Sequence, residues 1–138
     1  MPVADFLDSN VVIYAYAADP AKKARALDLL AGSPTISTQV LNETVSVLNR
    51  KQLMAGDLIA TAIDDLVAWC RVAEVSVVTI GRALDLMNRY RLSYYDALIV
   101  ASALEAECTV LFSEDMHHEL VIDGALTIVN PFRGVEIR

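Results

Sequence analysis

The sequence contains little from which a disulfide scaffold, a zinc site or a membrane span could be built. It has only two cysteines, Cys70 and Cys108, and no Cys/His spacing typical of zinc binding. Its longest largely apolar run, residues 97–104, lies between two acidic residues and is much shorter than the roughly 18 residues that cross a bilayer. We therefore expect two reduced cysteines and no association with a membrane.

Basic residues are also scarce. The chain has 11 Lys and Arg against 18 Asp and Glu, a formal net charge of −7. Proteins that bind nucleic acid through charge alone are usually basic, so this mode of binding is disfavoured unless bound cations reverse the local sign. Asp5 and Asp8 occupy the region where a signal peptide would be basic and then apolar, and we expect the protein to be cytoplasmic.

Several nucleotide- and phosphate-handling enzymes are excluded by missing motifs. The sequence has neither a Gly-x-x-x-x-Gly-Lys-Ser/Thr loop nor a Gly-x-Gly-x-x-Gly turn. A phosphorylatable receiver domain would need a lysine late in the chain, but the last one is Lys51. A haloacid-dehalogenase-type phosphatase would need a second Asp at position 10, which is Asn10.

Short β-like runs alternate with longer helical ones, and this alternation indicates an α/β fold with a mainly parallel sheet. We predict one domain over residues 1–138, with five strands and six helices. The strands are predicted at 3–7, 35–37, 75–78, 109–112 and 126–129. The helices are predicted at about 10–17, 20–30, 38–53, 57–71, 79–91 and 93–107, with Thr38, Thr79 and Ser93 as caps.

Three aspartates lie at predicted strand ends or helix starts, and each has a plain structural alternative. Asp8 follows the first strand and is either a helix N-cap or a ligand at the carboxyl end of a parallel strand. Asp96 stands three residues after Ser93, as in a capping box. Asp115 follows the fourth strand, where it is either a turn residue or a ligand, with Glu114 as a possible substitute.

Glu43 is the fourth acidic candidate. At about 100° per residue, it lies on a different helix face from Leu41, Val45 and Leu48, which we predict to face the core. No basic residue stands three or four positions from it, so it has no ion pair on its own helix. A solvated glutamate remains the alternative.

Together the four acids suggest a metal site. The carboxyl ends of parallel strands lie at one edge of a sheet, and carboxylates gathered there repel one another unless cations bind or some are protonated. Hard oxygen ligands favour Mg²⁺ or Mn²⁺, ions that activate water and stabilise charge on a phosphoryl group.

Four segments resemble the motifs of PIN domains, in the right order and over nearly the whole chain. They are FLDSNVVIY at 6–14, QVLNE at 39–43, LSYYDALIVASA at 92–103 and LFSEDM at 111–116. Among PIN domains, the sequence is most similar to the VapC-like toxins of bacterial toxin–antitoxin pairs. The resemblance implies an α/β/α sandwich with a mainly parallel central sheet of about five strands.

The resemblance also implies a Mg²⁺- or Mn²⁺-dependent endoribonuclease that forms a homodimer and is inhibited by a cognate antitoxin. In this interpretation Asp8, Asp96 and Asp115 hold the metal, and Glu43 completes the pocket and positions or deprotonates the attacking water. Asn10 and Ser113 match polar positions that support the site.

Two other functions stay open at this stage: a PIN-like binding module without catalysis, and a metal-dependent nuclease acting on DNA. Few basic side chains could guide RNA, and they could equally form a solvated face. They are Arg50, Lys51, Arg82, Arg89 and Arg91. Apolar residues on the predicted helices over 57–91 could contact a second subunit or an antitoxin. They include Leu58, Ile59, Leu66, Trp69 and Leu86.

Overall fold

A single mainly parallel sheet organises the fold of this computed structural model, which describes residues 5–134. Its strands are β1 (Asp5–Leu7), β2 (Thr35–Ser37), β3 (Arg71–Ala73), β4 (Val110–Phe112), β5 (Val121–Ile122) and β6 (Leu126–Val129). They are ordered β3-β2-β1-β4-β6-β5, and all neighbours are parallel except the antiparallel pair β5–β6. The predicted fold class is therefore confirmed, with six strands instead of about five. Residues 3 and 4 of the predicted first strand lie outside the described residues.

Helices flank this sheet. They are α1 (Ser9–Tyr14), α2 (Pro20–Ala31), α3 (Thr38–Arg50), α4 (Gly56–Trp69), α5 (Val77–Tyr90) and α6 (Tyr94–Glu105). Side-chain caps start several of them, because the first N–H groups of a helix have no partner within it. The Ser93 hydroxyl accepts a hydrogen bond from the Asp96 amide, as predicted. Helix α3 is capped by Ser37 rather than by Thr38, which is its first residue.

The predicted third strand, residues 75–78, is wrong. Strand β3 lies earlier, at Arg71–Ala73, and Val77 already begins α5. The reason is a capping box in which the side chains of Ser76 and Thr79 bond to each other's backbone N–H. It starts a helix within a β-branched run, and it leaves Val77 85% exposed. The short strand β5 was not predicted.

The core is built from the central strands, α6 and buried residues of the other helices. Phe6, Leu111 and Ile128 of three adjacent strands are fully buried. Residues 97–103 of α6 are all buried, which confirms the prediction that this helix is enclosed on most sides. Cys108 is buried and Cys70 half-buried, and both are free thiols.

The buried face of α3 differs from the predicted one by a small rotation. Val40, Thr44 and Leu48 are buried, whereas Val45 is 39% exposed. A threonine is accommodated in the core because its hydroxyl donates a 2.8 Å hydrogen bond to the Val40 carbonyl. Within residues 5–134, no helix has the length and apolar character that crossing a membrane requires.

We expect Ser76→Ala to lower the free energy of unfolding by about 1 kcal/mol, because it removes the cap of α5. Urea unfolding followed by circular dichroism measures this change. Ser76→Asn keeps a capping acceptor and should retain most of the wild-type stability. Equal losses in both variants would contradict the role assigned to the cap.

Candidate active site

The centre of the site is Asp8, at the end of β1 beside the end of β4. The residue is 4% exposed, and its carboxylate accepts hydrogen bonds of 2.7 Å from the Ser9 amide and 2.8 Å from the Ser113 hydroxyl. The Asp8 amide donates to the Phe112 carbonyl at 2.9 Å, which continues the ladder between β1 and β4. Asp8 therefore caps α1 and also lies buried at the sheet edge. A role as helix N-cap is thus compatible with a role as ligand at the end of a strand.

Glu43 reaches this edge from the other side of β1. Strand β2 pairs with β1 on the side opposite β4. Helix α3 follows β2 and carries Glu43 in its second turn. The Ser9 hydroxyl donates a 2.7 Å hydrogen bond to Oε1 of Glu43. Ser9 thus joins two of the predicted acids, although it was not among the residues predicted for the site. Its position directly after Asp8 at a strand–helix junction was the available signal.

Asp96 and Asp115 complete the acidic region. Asp96 is half-buried in the first turn of α6, and Asp115 is exposed in the loop after β4. Burial raises the pKa of Asp96, and the nearby charge of Asp115 raises it further. Burial likewise raises the pKa of Asp8 to about 7, and the charges of Asp96 and Glu43 add to this effect. The four acids therefore share one electrostatic environment.

These acids are neighbours rather than a closed coordination shell. Across residues 5–134, no three His, Cys, Asp or Glu side chains are grouped closely enough to hold a metal ion as they stand. Asp8 and Glu43 are fixed by hydrogen bonds, whereas Asp115 is exposed and Asp96 partly so. Any closure around a cation therefore depends on rotation of these two side chains.

Asn10 and Ser113 hold the loop that carries Asp115. The Asn10 side-chain carbonyl accepts a 3.2 Å hydrogen bond from the Glu114 amide, and its Nδ2 donates to the Ser113 hydroxyl at 3.5 Å. The Ser113 hydroxyl also accepts from the Met116 amide at 3.3 Å. The two polar residues predicted to support the site therefore link α1 to this loop.

The Glu114 side chain contacts Tyr14 and Lys22. Tyr14 donates a 2.7 Å hydrogen bond to its Oε1, and Lys22 forms an ion pair with its Oε2. The Lys22 ammonium also lies 4.8 Å from the centroid of the Tyr14 ring. Because its charge is already compensated, Glu114 is less available to a cation than Asp115. No local pattern indicated this cluster, whose members lie 92 and 100 residues from Glu114.

The raised pKa of Asp8 gives a pH dependence of stability in the metal-free protein. Between its ordinary value of 3.8 and the folded value of about 7, the folded chain keeps a proton that the unfolded chain has released. The stability from this difference is fully present below the unfolded pKa and is lost as the pH rises through about 7. In EDTA at pH 8, Asp8→Asn should be about 1 to 3 kcal/mol more stable than the wild type.

Urea titrations at pH 5 and pH 8 check this expectation, and the gain should be smaller at pH 5. Asp64→Asn, on the exposed side of α4, is the matched control and should change stability little at either pH. An Asp8→Asn variant that is less stable than the wild type at pH 8 would show that burying this carboxylate does not cost the folded protein stability.

Comparisons with known proteins agree with this architecture. The sequence matches the PIN domain family over residues 6–121, and no curated protein matches it. A toxin–antitoxin complex from Klebsiella pneumoniae is similar, with a TM-score of 0.70 and 20% identity over 92% of this chain and 97% of that chain. So is VapC20 from Mycobacterium tuberculosis, a Sarcin-Ricin loop cleaving toxin, with a TM-score of 0.62 and 22% identity over 80% and 91%.

VapBC2 from Rickettsia felis, bound to a DNA fragment from its promoter, has a TM-score of 0.62 and 19% identity. That match covers 90% of this chain and 96% of the other. At such identities the structures show a shared fold. The family match spans most of the sequence and confirms the resemblance seen in the four motifs. The chain therefore belongs to the PIN domain family, a family of nucleases.

Proposed function

We propose that this PIN domain is a Mg²⁺- or Mn²⁺-dependent endoribonuclease and the toxin of a VapBC-type toxin–antitoxin pair, acting in the cytoplasm. The observation that carries the proposal is the buried Asp8 carboxylate, whose pKa is raised to about 7 by burial and by two neighbouring acids. A protein rarely keeps such an arrangement for stability alone, since it opposes folding at neutral pH.

The donor set fits a hard divalent cation. All four candidate ligands are carboxylates, and no sulfur or imidazole group is among them. Asp8, Asp96 and Asp115 would hold the ion, and Glu43 would complete the pocket. When bound, such an ion supplies activation of water and stabilisation of the charge that develops on a phosphoryl group.

The chain's own residues have separate roles in this proposal. Glu43 has one oxygen fixed by the Ser9 hydroxyl, and its other oxygen can orient a water and accept its proton. Asn10 and Ser113 keep the Asp115 loop against α1. Attack by water in line with the leaving oxygen leaves 5′-phosphate and 3′-hydroxyl ends.

RNA as the substrate and an antitoxin as the partner are supported by the structural relatives. VapC20 is a Sarcin-Ricin loop cleaving toxin, and another relative was solved as a toxin–antitoxin complex. About a fifth of the residues in these proteins are identical to those in this chain. The RNA substrate and the antitoxin partner are therefore proposals for this chain.

Exposed apolar side chains of α4 and α5 are candidates for contact with a second subunit or an antitoxin. Ile59, Leu66 and Leu86, three of the residues predicted to be candidates for this role, are buried in the chain's own core. Leu58 and Trp69 of α4 are exposed, as are Val77, Val78 and Leu84 of α5. We propose that these side chains serve homodimerisation or antitoxin binding.

We expect Asp96→Asn to reduce RNA cleavage by several orders of magnitude, because the variant loses a carboxylate that the metal requires. Single-turnover cleavage of an end-labelled RNA in Mg²⁺ or Mn²⁺ measures the rate. The exposed residue Asp64 gives the control variant Asp64→Asn, which removes the same charge from α4 and should cleave at the wild-type rate.

The ends of the cleavage products test the proposed mechanism, and a comparison of RNA with DNA tests the proposed substrate. End analysis should find 5′-phosphate and 3′-hydroxyl termini; 2′,3′-cyclic phosphates would instead indicate attack by the RNA 2′-hydroxyl. Cleavage of a DNA of the same sequence at the same salt concentration would favour a DNA nuclease. Wild-type activity in Asp96→Asn would remove Asp96 from the site. Absence of cleavage by the wild type as well as by the variants would favour a binding module.

A further inference from the structure

Glu43 lies between two clefts. The first, the Tyr95 cleft, has a volume of about 400 Å³ and is lined by Gln39, Asn42, Glu43, Ser46 and Tyr95. The second, the Lys51 cleft, has a volume of about 500 Å³, and its lining includes Ser9, Ile13, Val47, Lys51, Leu53 and Asp115.

Helix geometry places the acidic region between these clefts. At about 100° per residue, Gln39, Asn42 and Ser46 occupy one side of α3, and Val47 and Lys51 occupy another. Glu43 lies between the two sides, and the hydrogen bond from Ser9 connects it to the Lys51 cleft. A chain passing from one cleft to the other therefore crosses the acids.

The Tyr95 cleft has the chemistry of a nucleobase site. Tyr95 precedes Asp96 on α6 and is 59% exposed, although it is a large aromatic side chain. Its ring centroid is 5.4 Å from that of Tyr94, and the two rings are tilted by 55°. Two amide side chains and a serine accompany it, and such groups can pair with the polar edge of a base that stacks on the ring.

The Lys51 cleft has the chemistry of a site for the backbone of the same strand. Lys51 makes no salt bridge with any residue from 5 to 134. Glu114 also lines this cleft, but its charge is compensated by Lys22. Arg82 and Arg89, predicted to be possible RNA contacts, instead pair with acidic residues. Lys51 is therefore a cation available next to the acidic region.

We propose that an unpaired nucleic-acid strand crosses the acidic region, with one base stacked on Tyr95 and a phosphate on the opposite side held by Lys51. This inference rests on the proposed function and adds two residues that position the substrate. Stacking on Tyr95 requires a base that is free of its own stack, so the path selects loops or single strands over duplexes.

The Tyr95 part is tested with a fluorescently labelled unpaired RNA in EDTA, so that the strand stays intact during the anisotropy titration. Tyr95→Leu should weaken binding by about 10-fold, because one stacked base is lost. Tyr95→Phe retains the ring and should bind within about 2-fold of the wild type. Val121→Ala shortens an exposed apolar side chain of β5 that lines neither cleft, and it should leave binding unchanged.

The Lys51 part is tested by the dependence of binding on salt. Lys51→Ala should reduce the slope of log K against log salt concentration by about 0.7, the value for one phosphate contact on a single strand. Lys23→Ala removes an exposed lysine from α2 and should keep the wild-type slope. In Mg²⁺, both Tyr95→Leu and Lys51→Ala should raise KM more than they lower kcat.

These outcomes separate the inference from the proposed function. If the wild type cleaves RNA but Tyr95→Leu and Lys51→Ala bind and cleave like it, the path is wrong while the nuclease stands. If the variants lose binding as expected but no chain cleaves RNA, the path stands and the nuclease activity is wrong. Loss of dimer or protein-partner binding in Tyr95→Leu, with strand binding intact, would assign the Tyr95 cleft to a protein and overturn the inference.

Discussion

The hydrogen bonds that hold the buried Asp8 carboxylate are the constraint on which the site depends. One oxygen accepts from the Ser9 amide and the other from the Ser113 hydroxyl. This arrangement ties the end of β1 to the end of β4 and gives a buried carboxylate two donors. Two donors do not offset its loss of hydration, because burial still raises its pKa to about 7. The carboxylate therefore costs stability at neutral pH, as expected of a group kept for function.

The surrounding contacts decide which acids remain available around Asp8. Ser9 restrains one oxygen of Glu43, and Lys22 with Tyr14 compensates Glu114. Asp96 and Asp115 have greater freedom, since one is partly and the other largely exposed. The site thus combines two fixed carboxylates with two adaptable ones. The cation-holding function that we propose requires this division, since the fixed groups set the position and the adaptable groups can close around it.

Local signals account for the features that could be predicted from the sequence. The strand–helix junction at Asp8, the cap at Ser93 and the apolar run 97–103 all depend on neighbouring residues, and all occur where expected. Three of the four acids, Asp8, Asp96 and Asp115, could be predicted at one sheet edge because a parallel sheet aligns its strand ends. The electrostatic coupling of Asp8 with Glu43 and Asp96 agrees with that placement.

Competing local signals and distant contacts account for the features that could not be predicted. The run at 75–78 has strong strand propensity, but the Ser76 capping box turned it into a helix start. On α3, Thr44 took a core position because its hydroxyl bonds to the helix backbone. The cluster of Lys22, Tyr14 and Glu114 joins residues far apart in the chain, and no pattern among neighbouring residues indicates such a contact.

The most direct test of a shared cation site is anomalous diffraction from crystals of the full chain grown with Mn²⁺, recorded near the manganese absorption edge. We expect an anomalous peak bounded by the carboxylates of Asp8, Asp96 and Asp115, and the loss of that peak in Asp8→Asn crystals. Manganese bound only elsewhere, or the same peak in Asp8→Asn, would contradict the claim that these acids form one cation site.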